Sequence, residues 1–132
     1  MPVLEETTFF QYKPTGVFNR MICPIAGYGL KGVAFYQGES NTGHPDIYKK
    51  YFMKAMSDWR KLWAGQHLPV VFVQLANFAD SKRNNVGDDW ARLRQQQKEC
   101  LELKTSAMVV TSDIGEYNDL HPQDKLTLGK RL

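Results

Sequence analysis

Gly32-Val33-Ala34-Phe35-Tyr36-Gln37-Gly38-Glu39-Ser40-Asn41 changes character partway: an apolar, β-branched and aromatic run gives way to a small, polar one. That is the pattern of a buried strand whose carboxyl end opens onto a loop. In an open α/β sheet, ligands sit beyond the carboxyl ends of the strands, so Gln37 to Asn41 fall where chemistry is expected. Gly38 permits a sharp turn and a close backbone approach to a ligand.

Working outward, Met1 to Tyr12 has no clear period and reads as an irregular or β-like lead-in. Pro14-Thr15-Gly16 is a turn. Val17, Phe18, Met21, Ile22 and Ile25 then recur at helical spacing and define one apolar face, ended by Pro24 and Gly27. After the polar loop, Asp46 has the chemistry of an N-cap for a helix to about Trp63, whose apolar face reads as Ile47, Tyr51, Ala55, Trp59 and Leu62. Ala64-Gly65-Gln66 stops it. Pro69 to Ala76 is apolar and β-branched apart from Gln74, as in a strand covered on both faces. Asn77 to Asp88 is a polar loop with Ser81-Lys82-Arg83-Asn84-Asn85 at its tip. A helix is expected over 89–104, burying Trp90, Leu93, Gln97, Cys100, Leu101 and Leu103. Ala107 to Thr111 is a third strand, and a last helix is expected from Pro122 to Leu132. The order β-α-β-α-β implies an α/β fold with a parallel sheet flanked by helices.

A chain of 132 residues suffices for one domain with a real core, and 42% hydrophobic with 23% charged residues excludes disorder over most of it. The 17 basic and 14 acidic residues are spread along the chain, so the net +3 forms no stripe for nucleic acid. No apolar run has the length of a membrane span, and the N-terminus lacks a signal peptide's charged-then-apolar layout. Cys23 and Cys100 both fall in expected helices and read as buried free thiols. His44 and His67 lie in loops without ligand-spaced partners, so no metal is expected. Trp59, Trp63 and Trp90 fall on helical faces and read as core.

Tyr36-Gln37-Gly38-Glu39-Ser40-Asn41 together with Asp119-Leu120-His121-Pro122 resembles the sialate O-acetylesterase family, carbohydrate esterases of the SGNH (GDSL-like) hydrolase superfamily. The likeness extends through Asn19-Arg20-Met21-Ile22, Asp58-Trp59-Arg60, Phe72-Val73-Gln74-Leu75-Ala76-Asn77-Phe78 and Asp113-Ile114-Gly115-Glu116, several blocks in one order. The resemblance implies a three-layer, flavodoxin-like domain that releases acetate from acetylated sugars by serine–histidine chemistry, without a cofactor. It implies His121 as the general base. The acid partner is Asp119 by preference; many SGNH enzymes carry an aspartate three residues before the histidine, where this chain has Asn118. Glu116, Asp113 or a main-chain carbonyl are alternatives.

By the same resemblance, Gly38 and its neighbours supply the oxyanion hole, worth about 3 kcal/mol per donor in favourable cases. The superfamily's Gly-x-Asn-Asp is here Gly38-Glu39-Ser40-Asn41, which leaves Ser40, Asn41 or Gln37 as the side-chain donor. Gly38 as a plain turn residue, and Glu39 as a carboxylate held by Arg60 or a helix N-terminus, are the structural readings. Gln74 and Asn77, at the end of the second strand, contact a sugar or support the loop, with support preferred.

The family's serine lies in a Gly-Gln-Ser-Asn-Met type segment, and none occurs in these 132 residues. The expectation is therefore an incomplete domain over 1–132, with little or no activity of its own. Its uncovered sheet edge or face would favour self-association or pairing with the serine-bearing segment. Two rivals remain: a non-catalytic carbohydrate-binding or interaction domain, and a free-standing esterase using Ser40 as nucleophile. Family members are secreted, periplasmic or lysosomal, and nothing in this chain selects among these compartments.

Overall fold

The computed structural model describes residues 13–63, 68–78 and 86–132. The lead-in over 1–12, the stop at Ala64-Gly65-Gln66, His67 and the loop tip Ser81–Asn85 lie outside the described residues.

Among the described residues, three strands form one sheet in the order β1-β2-β3: Val33–Phe35 (β1), Val70–Val73 (β2) and Ser106–Val109 (β3). All pairings are parallel, with Val33 opposite Val70, Phe35 opposite Phe72, and Val70 to Val73 opposite Ser106 to Val109. Helix α1 (Tyr48–Leu62) connects β1 to β2, α2 (Val86–Glu99) leads into β3, and α3 (Lys125–Arg131) follows. Tyr48, Phe52 and Met56 of α1 and Trp90 and Leu93 of α2 pack with Val70, Phe72 and Leu75 in one core. Leu128 of α3 packs with Val73 and Val109 in another. Alternate strand residues face opposite sides, so α1 and α2 cover one face of the sheet and α3 the other. This is the expected parallel α/β fold. Two successive crossovers on one face give a sheet wound in a single direction.

Details differ from the sequence reading for identifiable reasons. The buried face of α1 is Tyr48, Phe52 and Met56, with Trp59 half-buried and Trp63 buried, while Ile47 and Tyr51 are exposed. The true stripe lies one position along because Phe52 must meet Phe35 and Phe72, at ring-centroid distances of 5.6 and 5.0 Å. Asp46 is not the cap. A short 3₁₀ turn, Pro45–Ile47, precedes α1, and the Asp46 carboxylate takes both its bonds from Arg92 of α2 at 2.6 Å.

The segment after the Pro14 turn is helical through Ile25, as its spacing predicts, but irregular and without a buried apolar face. It is a π-helix over Phe18–Ile22 and a 3₁₀ turn over Cys23–Ile25, with Val17, Phe18, Met21 and Ile25 exposed. Pro24 has no N–H to give to the ladder, which breaks it there. Cys23 is consequently exposed rather than buried, whereas Cys100 is buried. Leu101 is exposed because α2 tightens into a 3₁₀ turn at Cys100–Glu102. The strand over 70–73 is not fully covered on both faces: Val71 is half-buried, and Ala34 of β1 is exposed. The seven-residue α3 reaches only the Val73–Val109 end. It starts at Lys125, later than Pro122, because Asp124 caps it by accepting the Thr127 N–H at 2.9 Å.

Trp63 and Trp90 are core residues whose indole N–H groups find the carbonyls of Tyr28 and Ala76 at 2.9 and 2.8 Å. At the amino end of the sheet, the Arg60 guanidinium donates to the carbonyls of Leu68, Lys104 and Thr105 at 3.0, 2.7 and 3.4 Å. It therefore does not hold Glu39.

Candidate active site

Beyond β1 the chain turns at Gly38, whose φ is +158°, into one 3₁₀ turn, Glu39–Asn41. The glycine is required by contact as well as by conformation: a Cβ there would stand 3.0 Å from Gln97 Nε2 and 3.3 Å from Leu75 and Leu93. The loop closes on itself. Asn41 N–H donates to the Gly38 carbonyl at 2.8 Å, and Gln37 Nε2 donates to Asn41 Oδ1 at 2.6 Å. Behind it, the Gln37 carbonyl accepts the Tyr48 hydroxyl at 2.9 Å and Gln97 Nε2 at 3.2 Å.

His121 lies in the loop between β3 and α3, with a side chain 82% exposed. Asp119 Oδ1 accepts the backbone N–H of His121 at 2.8 Å, Oδ2 accepts Gln123 Nε2 at 2.8 Å, and Oδ1 is 3.9 Å from His121 Nδ1. The His121 N–H, then the Gln123 amide, hold the Asp119 carboxyl below its ordinary value. The other acids are engaged elsewhere. Glu116 accepts Gln123 N–H on both oxygens at 3.2 Å. Asp113 is paired with Arg131 at 2.6 Å, which lowers its pKa to about 2.

The two loops meet at one cavity of about 420 Å³, lined by Tyr36, Glu39, Ser40, Leu120, His121, Pro122 and Lys125. Glu39, Ser40 and His121 are thus brought together from residues some eighty positions apart in the chain. Gln37 and Asn41 line a separate cavity of about 150 Å³ with Phe35, Tyr48, Tyr51, Phe52 and Ala55. Gln74 and Asn77 line neither of these. Gln74 Nε2 donates to the Arg94 carbonyl at 3.0 Å, and the Gln74 main-chain carbonyl accepts the Thr111 hydroxyl at 2.6 Å. Asn77 donates to the Ser112 carbonyl and accepts from Arg94 at 3.2 Å. Both amides tie the carboxyl end of β2 to its neighbours. Among the described residues, no cluster of three or more His, Cys, Asp or Glu side chains has the arrangement of a metal site.

Sequence reasoning missed Tyr36 and Lys125 in the cavity wall, and Tyr48 and Gln97 as the groups holding the Gln37 carbonyl. Tyr36 is raised above its ordinary value, by burial first and then by the Glu39 charge, and so keeps its proton. The signal for Gln97 was present: an amide within the apolar stripe Trp90, Leu93, Cys100.

Comparison with known proteins agrees with the fold. A family model described as carbohydrate esterase, sialic acid-specific acetylesterase, matches residues 9–132. The sialate O-acetylesterase of Homo sapiens is 30% identical over 91% of this chain, and that of Mus musculus 28% identical over 88%. The chain covers 26% and 24% of those proteins, about a quarter of their length. In structure, a carbohydrate acetylesterase from Xanthomonas citri superposes with a TM-score of 0.83 at 36% identity, covering 90% of this chain and 28% of the other.

Proposed function

The chain belongs to the carbohydrate esterase family of sialic acid-specific acetylesterases, and from that premise we propose that it carries the base and the oxyanion half of a site that removes acetyl groups from sugars. His121 is the general base, Asp119 holds its loop, and the Gly38 turn stabilises the oxyanion. A serine supplied from outside these residues attacks the acetyl carbonyl while His121 accepts the hydroxyl proton. The tetrahedral oxyanion collapses and the sugar oxygen leaves with that proton. Water, deprotonated by the same imidazole, then releases acetate and restores the serine. The chain is on this reading one part of a larger domain, with little turnover of its own.

What supports this is the cavity of about 420 Å³ where the Glu39–Ser40 turn faces His121, at the carboxyl edge of a parallel sheet. The test is hydrolysis of a small acetyl ester. The folded chain alone is expected to give none, addition of a relative's serine-bearing segment to restore it, and His121→Ala to abolish the restored rate.

Ser40 lines the same cavity as His121, which favours a second reading with Ser40 as the nucleophile. Turnover by the chain alone, lost in both Ser40→Ala and His121→Ala, would establish it. Binding of acetylated sugar without turnover, unchanged by His121→Ala, would instead identify a non-catalytic carbohydrate-binding domain.

A further inference from the structure

Gln97 is fully buried in the middle of the apolar face of α2. An amide is tolerated there only when its polar atoms are paired, and the pairing identifies what it does. Its Oε1 accepts the Leu75 N–H at 2.9 Å, just past β2. Its Nε2 donates to the Gln37 carbonyl at 3.2 Å, just past β1, and to the Val73 carbonyl at 3.4 Å. From α1, the Tyr48 hydroxyl donates to the same Gln37 carbonyl at 2.9 Å. Two side chains from two helices therefore turn one carbonyl into the core.

A trans peptide points its C=O and its N–H in opposite directions, and among the described residues no peptide is cis. The N–H at the other end of this peptide belongs to Gly38, and it is turned away from Gln97 and Tyr48. Gly38 is buried, yet among the described residues its N–H donates to no protein acceptor. A buried backbone donor without a partner is costly, unless an acceptor arrives with a ligand. Flipping the peptide would take the carbonyl from both donors, leaving the Tyr48 hydroxyl without its acceptor in the core and Gln97 Nε2 with only its longer bond to Val73. Burial raises the Tyr48 hydroxyl to about 12, so it remains a donor throughout the neutral range.

We infer that Gln97 and Tyr48 are positioning residues: by holding the Gln37 carbonyl inward they present the Gly38 N–H, before any substrate arrives, to the oxygen of an acyl group. This rests on the assignment of the Gly38 turn as the oxyanion half of an esterase site. Preorganisation of this kind removes the cost of turning the peptide during the reaction. Gly38 is part of the same device, since a Cβ at that position would stand 3.0 Å from Gln97 Nε2 and press on it.

The test uses acetate, a carboxylate and the product of deacetylation, titrated into the isotope-labelled chain while the Gly38 amide is followed by NMR. In the parent that amide is expected to shift and saturate. Tyr48→Phe keeps the ring in the core and removes only the hydroxyl; it is expected to weaken acetate binding at Gly38 about fivefold while unfolding stays cooperative. Gln97→Met keeps the length and removes both polar atoms, and where it folds it is expected to weaken binding at least as much. A parent Gly38 amide that ignores acetate overturns the oxyanion assignment itself. An amide that responds in the parent and with equal affinity in Tyr48→Phe overturns the positioning role alone.

Discussion

Asp119 holds His121 by its backbone more closely than by its ring: Oδ1 is 2.8 Å from the His121 main-chain nitrogen and 3.9 Å from Nδ1. The carboxylate fixes where the loop puts the imidazole. Because its folded pKa is depressed below 3.8, its ordering of the loop is fully present above that value and is lost as pH falls through the folded pKa. Amide exchange at His121, compared at equal intrinsic rates, is expected to accelerate severalfold in Asp119→Ala at neutral pH. Asp119→Asn, still an acceptor, is expected to stay close to the parent. Equal protection in all three chains would separate Asp119 from the loop.

The pair between Asp113 and Arg131 ties the end of β3 to α3. The Arg131 guanidinium also donates to the Val110 carbonyl at 2.9 Å. With the Asp113 carboxyl lowered from 3.8 to about 2, the stabilisation is complete above 3.8 and disappears towards pH 2. Thermal unfolding of Asp113→Asn should fall below the parent at neutral pH and converge with it across that window. The group is solvent-exposed, so the difference is expected to be small and to shrink with added salt.

Gly115 has no room for a side chain: a Cβ would lie 2.6 and 2.7 Å from the backbone N and O of Asn77. Main chain cannot yield as a flexible side chain can, so Gly115→Ala is expected to cost about 1–3 kcal/mol in denaturant unfolding. At Gly43 nothing lies within 4 Å, and Gly43→Ala should unfold within about 0.5 kcal/mol of the parent.

The two thiols differ in access. Cys100 is fully buried, its Sγ donates to the Gln96 carbonyl at 3.2 Å, and burial raises its pKa to about 12. Cys23 is exposed. A thiol-reactive chromophore should therefore label one site quickly in the folded chain, both sites after denaturation, and none quickly in Cys23→Ser.

The alternation of apolar and polar runs makes the parallel α/β sheet legible in the sequence, because Val70–Val73 and Ser106–Val109 are short enough to be strands and the runs between them long enough to be helices. What periodicity did not resolve is which of two adjacent stripes on α1 is buried. Tyr51 and Phe52 are both apolar, and only the position of Phe35 and Phe72 across the sheet decides between them. The first turns differ in another way. Val17 to Ile25 has the spacing of a helix and is helical, but Pro24 ends it in a 3₁₀ turn and most of its apolar residues stay exposed. At the cavity, Ser40 and His121 stood out as reactive side chains. Gln97 did not, because its contribution is made through the carbonyl of another residue.

Arg60 stands at the opposite edge of the sheet from the cavity, and its reach there has a bearing on the chemistry. One fork grips the chain entering β2 and the chain entering β3, so neither strand can slide against the other without surrendering charge-assisted bonds. In a sheet, a slip of one residue inverts every side chain beyond it. The guanidinium thus acts as a datum from which both strands are measured, and the positions of Asn77 and of the His121 loop are counted from it. Lysine, a single point charge, has no second arm with which to keep that alignment.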